Sequence, residues 1–411
     1  MMTPDATAPF VAIACGGTGG HLFPGLAVGE ALVRRGASVA LLISPKEVDQ
    51  EAARAAKGME AITLPAVAFE HPHAVRFLRG SWRAFRAARR LFRLRRPDVV
   101  LAMGGFTGAP PILAARFCRA ATFVHESNAI PGRANRWLAP WVNGVMVGFP
   151  SAARRLWNRA VMVTGTPVRS QFRSRDAASC RTALGLEPGQ PVLLVMGGSQ
   201  GAQAINRLVM QALPLLCGQL PELQFIHLTG PHDVAEVNAG YHSQRCRAVV
   251  RPFVAEMEIA MGAATAAVNR AGASSLAELA AVRLPAILIP YPTASDNHQY
   301  VNALEFAQTG AARLLTQPGA TATSLTRLVA ELIRPGLVRS QIETALKQWD
   351  WPEAAEDIAV RLLAAIRGKT ARPGPAWREL HASTMADAPA NAAGSRPRTL
   401  TAKSPWRRVA T

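Results

Sequence analysis

Short runs that are apolar at every position, separated by stretches with helical spacing, recur along most of this 411-residue chain and leave few folds open to it. "FVAIAC" (10–15), "SVALLI" (38–43), "DVVLAM" (98–103), "ATFVHE" (121–126) and "GVMVGF" (144–149) lack the polar-out alternation of a half-exposed strand. Each therefore reads as a strand buried on both faces. Segments 24–35 and 107–118 between them carry helical spacing, and such alternation implies a parallel sheet covered by helices on both sides. The pattern pauses at "VTGTPVRSQF" (163–172), rich in turn formers and read as the linker, and restarts with "PVLLVMGG" (191–198), "QFIHLTG" (224–230), "AAVNRAG" (266–272) and "PAILIPYP" (285–292). A chain this long exceeds one typical core. The expectation is an α/β protein of two Rossmann-like, doubly wound parallel-sheet domains, 8–166 and 167–346. A closing helix within 347–366, free to return to the N-terminal domain, follows, and then a tail at 367–411.

Charge is unevenly spread. Of the net +19, residues 69–96 contribute nine arginines against Glu70, and residues 367–411 nine Lys/Arg against Glu379 and Asp387. Two local anionic contacts explain this better than a uniformly cationic surface. The last segment, rich in Pro, Ala, Ser and Arg without apolar period, reads as disordered. Five scattered cysteines without C-x-x-C spacing argue against a disulfide framework or structural zinc and suit a reducing cytosol. Neither a secretory signal nor an apolar run long enough to span a bilayer is expected.

Two glycine turns punctuate the strands: "ACGGTGGHLFPGLA" (14–27) and "VMGGSQGAQAIN" (195–206). A glycine turn between strand and helix presents free N–H groups at a positive helix end, a setting for phosphate. The first is not a dinucleotide fingerprint, because the third glycine would fall at Leu22 and no acidic residue closes the next strand, "LLISP". It is not a Walker A loop either: the only Gly-Lys-Thr, 368–370, has Leu363 at the first glycine position. None of the nine aspartates forms an Asp-x-Asp pair for a metal-bound diphosphate. A bound diphosphate would thus be held by helix N-termini and hydrogen-bond donors, with no metal or other cofactor expected. "NRAGASSLAELA" (269–280) supplies such a start: Gly272 at the turn, Ser274 and Ser275 in the first turn, and Glu278 one turn in, where it could bridge a ribose diol. The plainer role for this segment is an N-cap and a first-turn acid that stabilise the helix.

The order and spacing of "GGTGGHLFPGLA", "MGGFTGAP", "HESNAIPGRANRWLA", "GTPVR", "GGSQGAQAIN", "NRAGASSLAELA" and "DNHQYVNA" resemble the bacterial peptidoglycan glycosyltransferases of lipid II synthesis, over roughly residues 10–365. That family is built as two facing Rossmann-like domains (the GT-B arrangement). It moves N-acetylglucosamine, with inversion, from UDP-N-acetylglucosamine to the C4 hydroxyl of undecaprenyl-diphospho-N-acetylmuramoyl-pentapeptide. The resemblance implies that Thr18, Gly19 and Gly20 contact the donor, Asn128 the sugar, and Arg169 and Ser199 the nucleotide. It further implies that the backbone of Val254 reads uracil, that Ala273, Ser274, Ser275, Leu276 and Ala277 hold the diphosphate, that Glu278 holds the ribose, and that Gln299 holds the sugar hydroxyls. A peripheral place on the cytoplasmic face of the inner membrane follows, with cell-wall assembly proteins as further partners.

The displacement needs a base at the attacking oxygen. His21, at a helix start whose dipole disfavours imidazolium, suits that role. A helix-cap histidine that only orders the turn, and Glu126 as the base instead, remain open; for Glu126 the plainer role is to hold the cleft loop by backbone hydrogen bonds. Some positions depart from the family: Phe106 stands where tyrosine is frequent, Gly108 replaces serine, and Thr166 replaces asparagine.

In "VRFLRGSWRAFRAARRLFRLRRPD" (75–98), Leu78, Trp82 and Phe85 fall at helical spacing inside an arginine frame, as suits an anionic bilayer surface. Leu91, Phe92 and Leu94 are expected in the core. Nucleic acid is not expected without an RNA or DNA fold motif. The rival readings are another UDP-sugar transferase of the same fold with a different acceptor, a UDP-N-acetylglucosamine epimerase, and a nucleotide-sensing protein without catalysis.

Overall fold

The structure, a computed structural model, describes residues 8–46, 49–50, 56, 58–65, 74–198 and 201–370. Ser199 and residues 371–411 of the expected tail lie outside them. Among the described residues thirteen strands form two sheets, parallel throughout. The first sheet is ordered β3-β2-β1-β4-β5-β6-β7, from β1 (Phe10–Ala14), β2 (Ser38–Ile43), β3 (Glu60–Thr63), β4 (Val99–Ala102), β5 (Ala121–Glu126), β6 (Gly144–Val147) and β7 (Val161–Val163). The second is ordered β10-β9-β8-β11-β12-β13, from β8 (Val192–Met196), β9 (Gln224–Leu228), β10 (Ala248–Arg251), β11 (Ala266–Asn269), β12 (Ala286–Leu288) and β13 (Arg313–Leu314). These are the two Rossmann-like sheets expected, and the uninterrupted apolar runs are their buried interior strands. Each chain path winds outward both ways from its first strand, so a crevice opens at the carboxyl ends between β1 and β4 and between β8 and β11. The two glycine turns follow β1 and β8, and the 103–108 and 270–272 turns follow β4 and β11.

Several expectations are corrected. Leu94 is 81% exposed, whereas Phe92 is buried and Leu91 packs partly against the core. The helix of these residues, Ala74–Leu94, ends there, so Leu94 has no later turn to cover it. Cys217 and Cys246, 29 residues apart, are joined as a disulfide, because the end of the Gln203–Gln219 helix packs beside the approach to β10. The turn-rich segment expected as a linker begins inside β7.

The closing helix, Ala354–Thr370, buries Ile358, Ala359 and Leu362 in one cluster with Val11, Ile13, Leu41 and Val99 of the first lobe. Glu356 pairs there with Arg34 and Arg35, each at 2.7 Å. Before it, Trp349 stacks on Phe306 at 4.3 Å and leans on Phe149 at 5.1 Å, joining aromatic rings of both lobes.

Candidate functional site

The first glycine turn is held from three sides. Gly17 N–H donates to Asp49 at 2.6 Å, Lys46 Nζ to the Gly17 carbonyl at 2.9 Å, and Thr107 Oγ1 to the Gly16 carbonyl at 2.5 Å. Asp49 is buried and also accepts from the Ser44 hydroxyl at 2.5 Å. From this turn rises the Gly19–Arg34 helix, with Thr18 at its N-cap and His21 in its first turn. Thr18 Oγ1 lies 2.9 Å from His21 Nδ1. The imidazole rests against the backbone of Gly104 and Gly105, both at positive φ (106° and 74°). A Cβ on either would come within 3.1 Å of the ring, so only glycine gives the ring this seat. Burial holds His21 below its ordinary value and His298 adds to this, while Glu126 and Asp49 pull the other way.

Glu126, at the end of β5, is buried with both oxygens engaged. Oε1 accepts from the Asn128 backbone N–H (2.9 Å) and its side-chain amide (3.1 Å), and Oε2 accepts from Gly132 N–H and Asn135 Nδ2, both at 2.8 Å. This carboxylate ties the 126–135 loop together. The same loop is pinned to the second lobe. Asn302, buried on the His298–Gln308 helix, accepts from Ala129 N–H (2.9 Å) and donates to Asn128 Oδ1 and to the Ala271 carbonyl, both at 3.1 Å. Arg133 and Arg136 pair with Asp296 at 3.3 and 2.7 Å.

Across the cleft, the Ala273–Ala281 helix starts after Gly272 without a side-chain cap. Leu276 N–H makes the first intrahelical bond, to the Gly272 carbonyl, so the N–H groups of Ala273, Ser274 and Ser275 stand free of the helix ladder. Ala273 and Leu276 point into the core and Ala277 is half-buried, which leaves backbone and the serine hydroxyls to face a ligand. Ser274 Oγ donates to the Gly20 carbonyl at 2.8 Å and so joins the two turns directly. Burial pushes the Glu278 carboxyl up to about 7, with Arg169 opposing and Glu258 adding. The Arg169 guanidinium lies over Phe23 at 4.4 Å and Phe172 at 5.1 Å, with Nε buried and unpartnered. Its charge is felt at Glu278.

The structure thus brings together Thr18, Gly19, Gly20, His21 and Ser274, sets Arg169 near enough to Glu278 for its charge to act there, and separately joins Glu126 with Asn128. Gln299 Oε1 accepts from Tyr291 N–H at 3.0 Å, and Val254 packs partly against a buried cluster that includes residues of both lobes; neither hydrogen-bonds to another expected residue. Phe106, replacing the frequent tyrosine, lies beside Gly17. Sequence reasoning missed Asp49, Lys46, Asn135, Asp296, His298 and Asn302. The last three sit inside the "DNHQYVNA" stretch, which was the available signal.

On the Ala74–Leu94 helix, Leu78 is 65% and Trp82 59% exposed. Phe85 is half-buried: it stacks on Trp82 at 5.5 Å and meets the exposed Phe117 edge-on at 5.8 Å. No helix among the described residues is long and apolar enough to cross a membrane.

Two parallel α/β lobes, each wound outward from a glycine turn, define a protein of the two-domain Rossmann-like class. Residues 11–147 match the glycosyltransferase family 28 N-terminal domain and residues 192–360 its C-terminal domain, and the chain belongs to that family. It is 38% identical to a UDP-N-acetylglucosamine–N-acetylmuramyl-(pentapeptide) pyrophosphoryl-undecaprenol N-acetylglucosamine transferase of Halorhodospira halophila, over 85% of this chain and 96% of the relative. It is 35% identical to the transferase of that name from Anaeromyxobacter dehalogenans, over 89% and 96%. Among solved structures, the MurG of Acinetobacter baumannii superposes with a TM-score of 0.67 at 25% identity, covering 87% of this chain and 99% of that one. A UDP-N-acetylglucosamine 2-epimerase shares the fold alone, at 13% identity and a TM-score of 0.66.

Proposed function

We propose that this protein transfers N-acetylglucosamine from UDP-N-acetylglucosamine to the C4 hydroxyl of undecaprenyl-diphospho-N-acetylmuramoyl-pentapeptide, with inversion and release of UDP. The observation that carries the reading is the hydrogen bond from Ser274 to Gly20, which sets a free helix N-terminus against the turn that bears His21. With Nδ1–H donating to Thr18, His21 Nε2 keeps its lone pair and takes the acceptor's proton as the C4 oxygen attacks the anomeric carbon. The N–H groups of Ala273, Ser274 and Ser275 and the positive helix end receive the charge that develops on the departing diphosphate. Glu278 accepts from the ribose hydroxyls, the half-buried Arg169 contacts the nucleotide, and Val254 reads uracil with its backbone. Gln299 and Asn128 bind the sugar, Asn128 once its amide is released from Asn302. Glu126 is assigned a positioning role, since four donors already occupy its oxygens.

The acceptor's lipid stays in the bilayer, and the exposed Leu78 and Trp82, with the half-buried Phe85 beside them, support within their arginine frame docking of the first lobe on an anionic, cytoplasmic membrane surface. The test of the transfer itself is incubation of sugar-labelled UDP-N-acetylglucosamine with the lipid-linked muramoyl-pentapeptide. Label should move to the lipid with one UDP released per transfer. Interconversion of the sugar nucleotide without transfer, or binding without turnover, would sink the proposal.

A further inference from the structure

The cleft lies at the carboxyl ends of the strands. At the opposite, amino ends of β8, β11 and β12, the second lobe holds another cavity of about 560 Å³, lined in part by 189–191, 264–265 and 284–285. Five arginines line it, Arg175, Arg181, Arg283, Arg334 and Arg339, against two glutamates, Glu222 and Glu343. Such a cluster is stabilised by added counter-charge, and of the five arginines only Arg283 has a close carboxylate among the described residues, Asp350 at 2.7 Å. Arg181 is fixed by three bonds to neutral oxygens: the carbonyls of Ala263 and Pro188 and the Thr265 hydroxyl. Arg175 reaches Glu258 only at 4.0 Å, and Arg339 reaches Glu343 at 3.6 Å. The exposed Arg334 guanidinium makes no hydrogen bond or ion pair among the described residues. Planar guanidinium forks match phosphate oxygens bidentately, and the volume is that of a small-molecule site.

The cavity also touches the donor helix. Val282 and Arg283, directly after Ala273–Ala281, line it, while Ser274, about 12 Å away along the same helix, touches the first glycine turn, and Glu278 lies between them. Arg283 sits at φ 57°, and its guanidinium holds Asp350 at 2.7 Å, beside the Trp349 that stacks between the lobes. An anion that draws on Arg283 therefore acts on both the donor helix and the chain that closes the molecule.

We propose that this cavity is a second ligand site, built for a small oligophosphate and coupled to the cleft through the Ala273–Ala281 helix. The anion site goes beyond the transferase reading; only the coupling uses the cleft as a UDP site, and UDP binding is measured first by itself. Inorganic tripolyphosphate is then titrated calorimetrically into the full chain saturated with UDP, so that the cleft is already filled. One equivalent should bind. The Arg175→Gln/Arg334→Gln double variant should weaken it by about tenfold or more, and Glu222→Gln should tighten it, since charge-assisted hydrogen bonds are gained or lost at the anion. UDP affinity should differ at least about threefold with and without tripolyphosphate in the wild type and not in the double variant, a coupling that is reciprocal by linkage. Absence of binding in the UDP-saturated protein, or equal binding by all three proteins, overturns the site. An unchanged UDP affinity overturns the coupling. Failure of UDP to bind at the outset counts against the transferase reading instead.

Discussion

His21 and Glu278 face one cleft, and burial drives both toward their neutral forms: the imidazole is held below its ordinary value and the carboxyl is raised to about 7. For a base this is useful, because a histidine that stays unprotonated at neutral pH can accept a proton. His21→Ala should lower kcat by about 100-fold, the scale of a lost general base, with the KM for the sugar nucleotide little changed. Steady-state kinetics at saturating donor check this, and near-normal turnover would remove His21 from the role. For Glu278 the consequence is a pH dependence. Above about pH 7 its carboxylate can accept from both hydroxyls of a ribose diol; below, one oxygen carries the proton and that acceptance is lost. Affinity for UDP should therefore rise as pH passes upward through 7, and binding at pH 6 should release a proton. Calorimetry in buffers of different ionisation enthalpy measures both, and Glu278→Gln should flatten the profile. Both residues were legible in the sequence because each follows a glycine turn at a helix start. Asn302 was not, since the amide it meets at Ala129 lies 173 residues away, and local spacing carries no trace of such a pair. Asp49 was hidden similarly: its bond to Gly17 spans 32 residues between consecutive loops.

Among elements, the strands that the apolar pattern misses are β3, β7, β10 and β13, and these are the four edges of the two sheets. An edge strand has a neighbour on one side only and keeps part of its surface in water, so it needs no continuous apolar run. "EAIT" of β3 is mostly exposed and β7 is half-buried throughout. Interior strands, covered on both faces, announce themselves; edges do not. The Ala74–Leu94 helix shows the same logic on one element: Ala84, Ala88 and Phe92 face the core, while Leu78 and Trp82 face solvent. An apolar face left in water within an arginine frame is stabilised by an anionic bilayer. Replacing Trp82 and Phe85 together by Glu removes about 2 kcal/mol or more of apolar contact and adds repulsion. Co-sedimentation with anionic vesicles should fall by more than about tenfold, while transfer to a short-chain, water-soluble acceptor should persist. Unchanged vesicle binding would put the docking surface elsewhere.

At the scale of the whole molecule, a helix that follows the second sheet completes the core of the first lobe. Ile358, Ala359 and Leu362 come from the Ala354–Thr370 helix, after all of the second sheet, yet they share a buried cluster with Val11, Ile13, Leu41 and Val99 of the first. The surface pairs of Glu356 with Arg34 and Arg35 set the helix's place but contribute little energy, since exposed ion pairs are worth about 1 kcal/mol or less. The apolar seam dominates. Leu362→Ala should therefore cost about 2–5 kcal/mol, the range for a buried leucine truncated in a packed core. The loss should also appear far away in sequence. Amide hydrogen exchange should quicken across β1 and β2 and the Gly19–Arg34 helix, while β8, β9 and β11, which contribute no residue to the cluster that holds Leu362, keep their protection. Because His21 stands on that helix, kcat should fall along with stability even though Leu362 touches no substrate. If faster exchange were confined to 354–370 and turnover were intact, the closing helix would be an appendage to the first lobe and not part of its core.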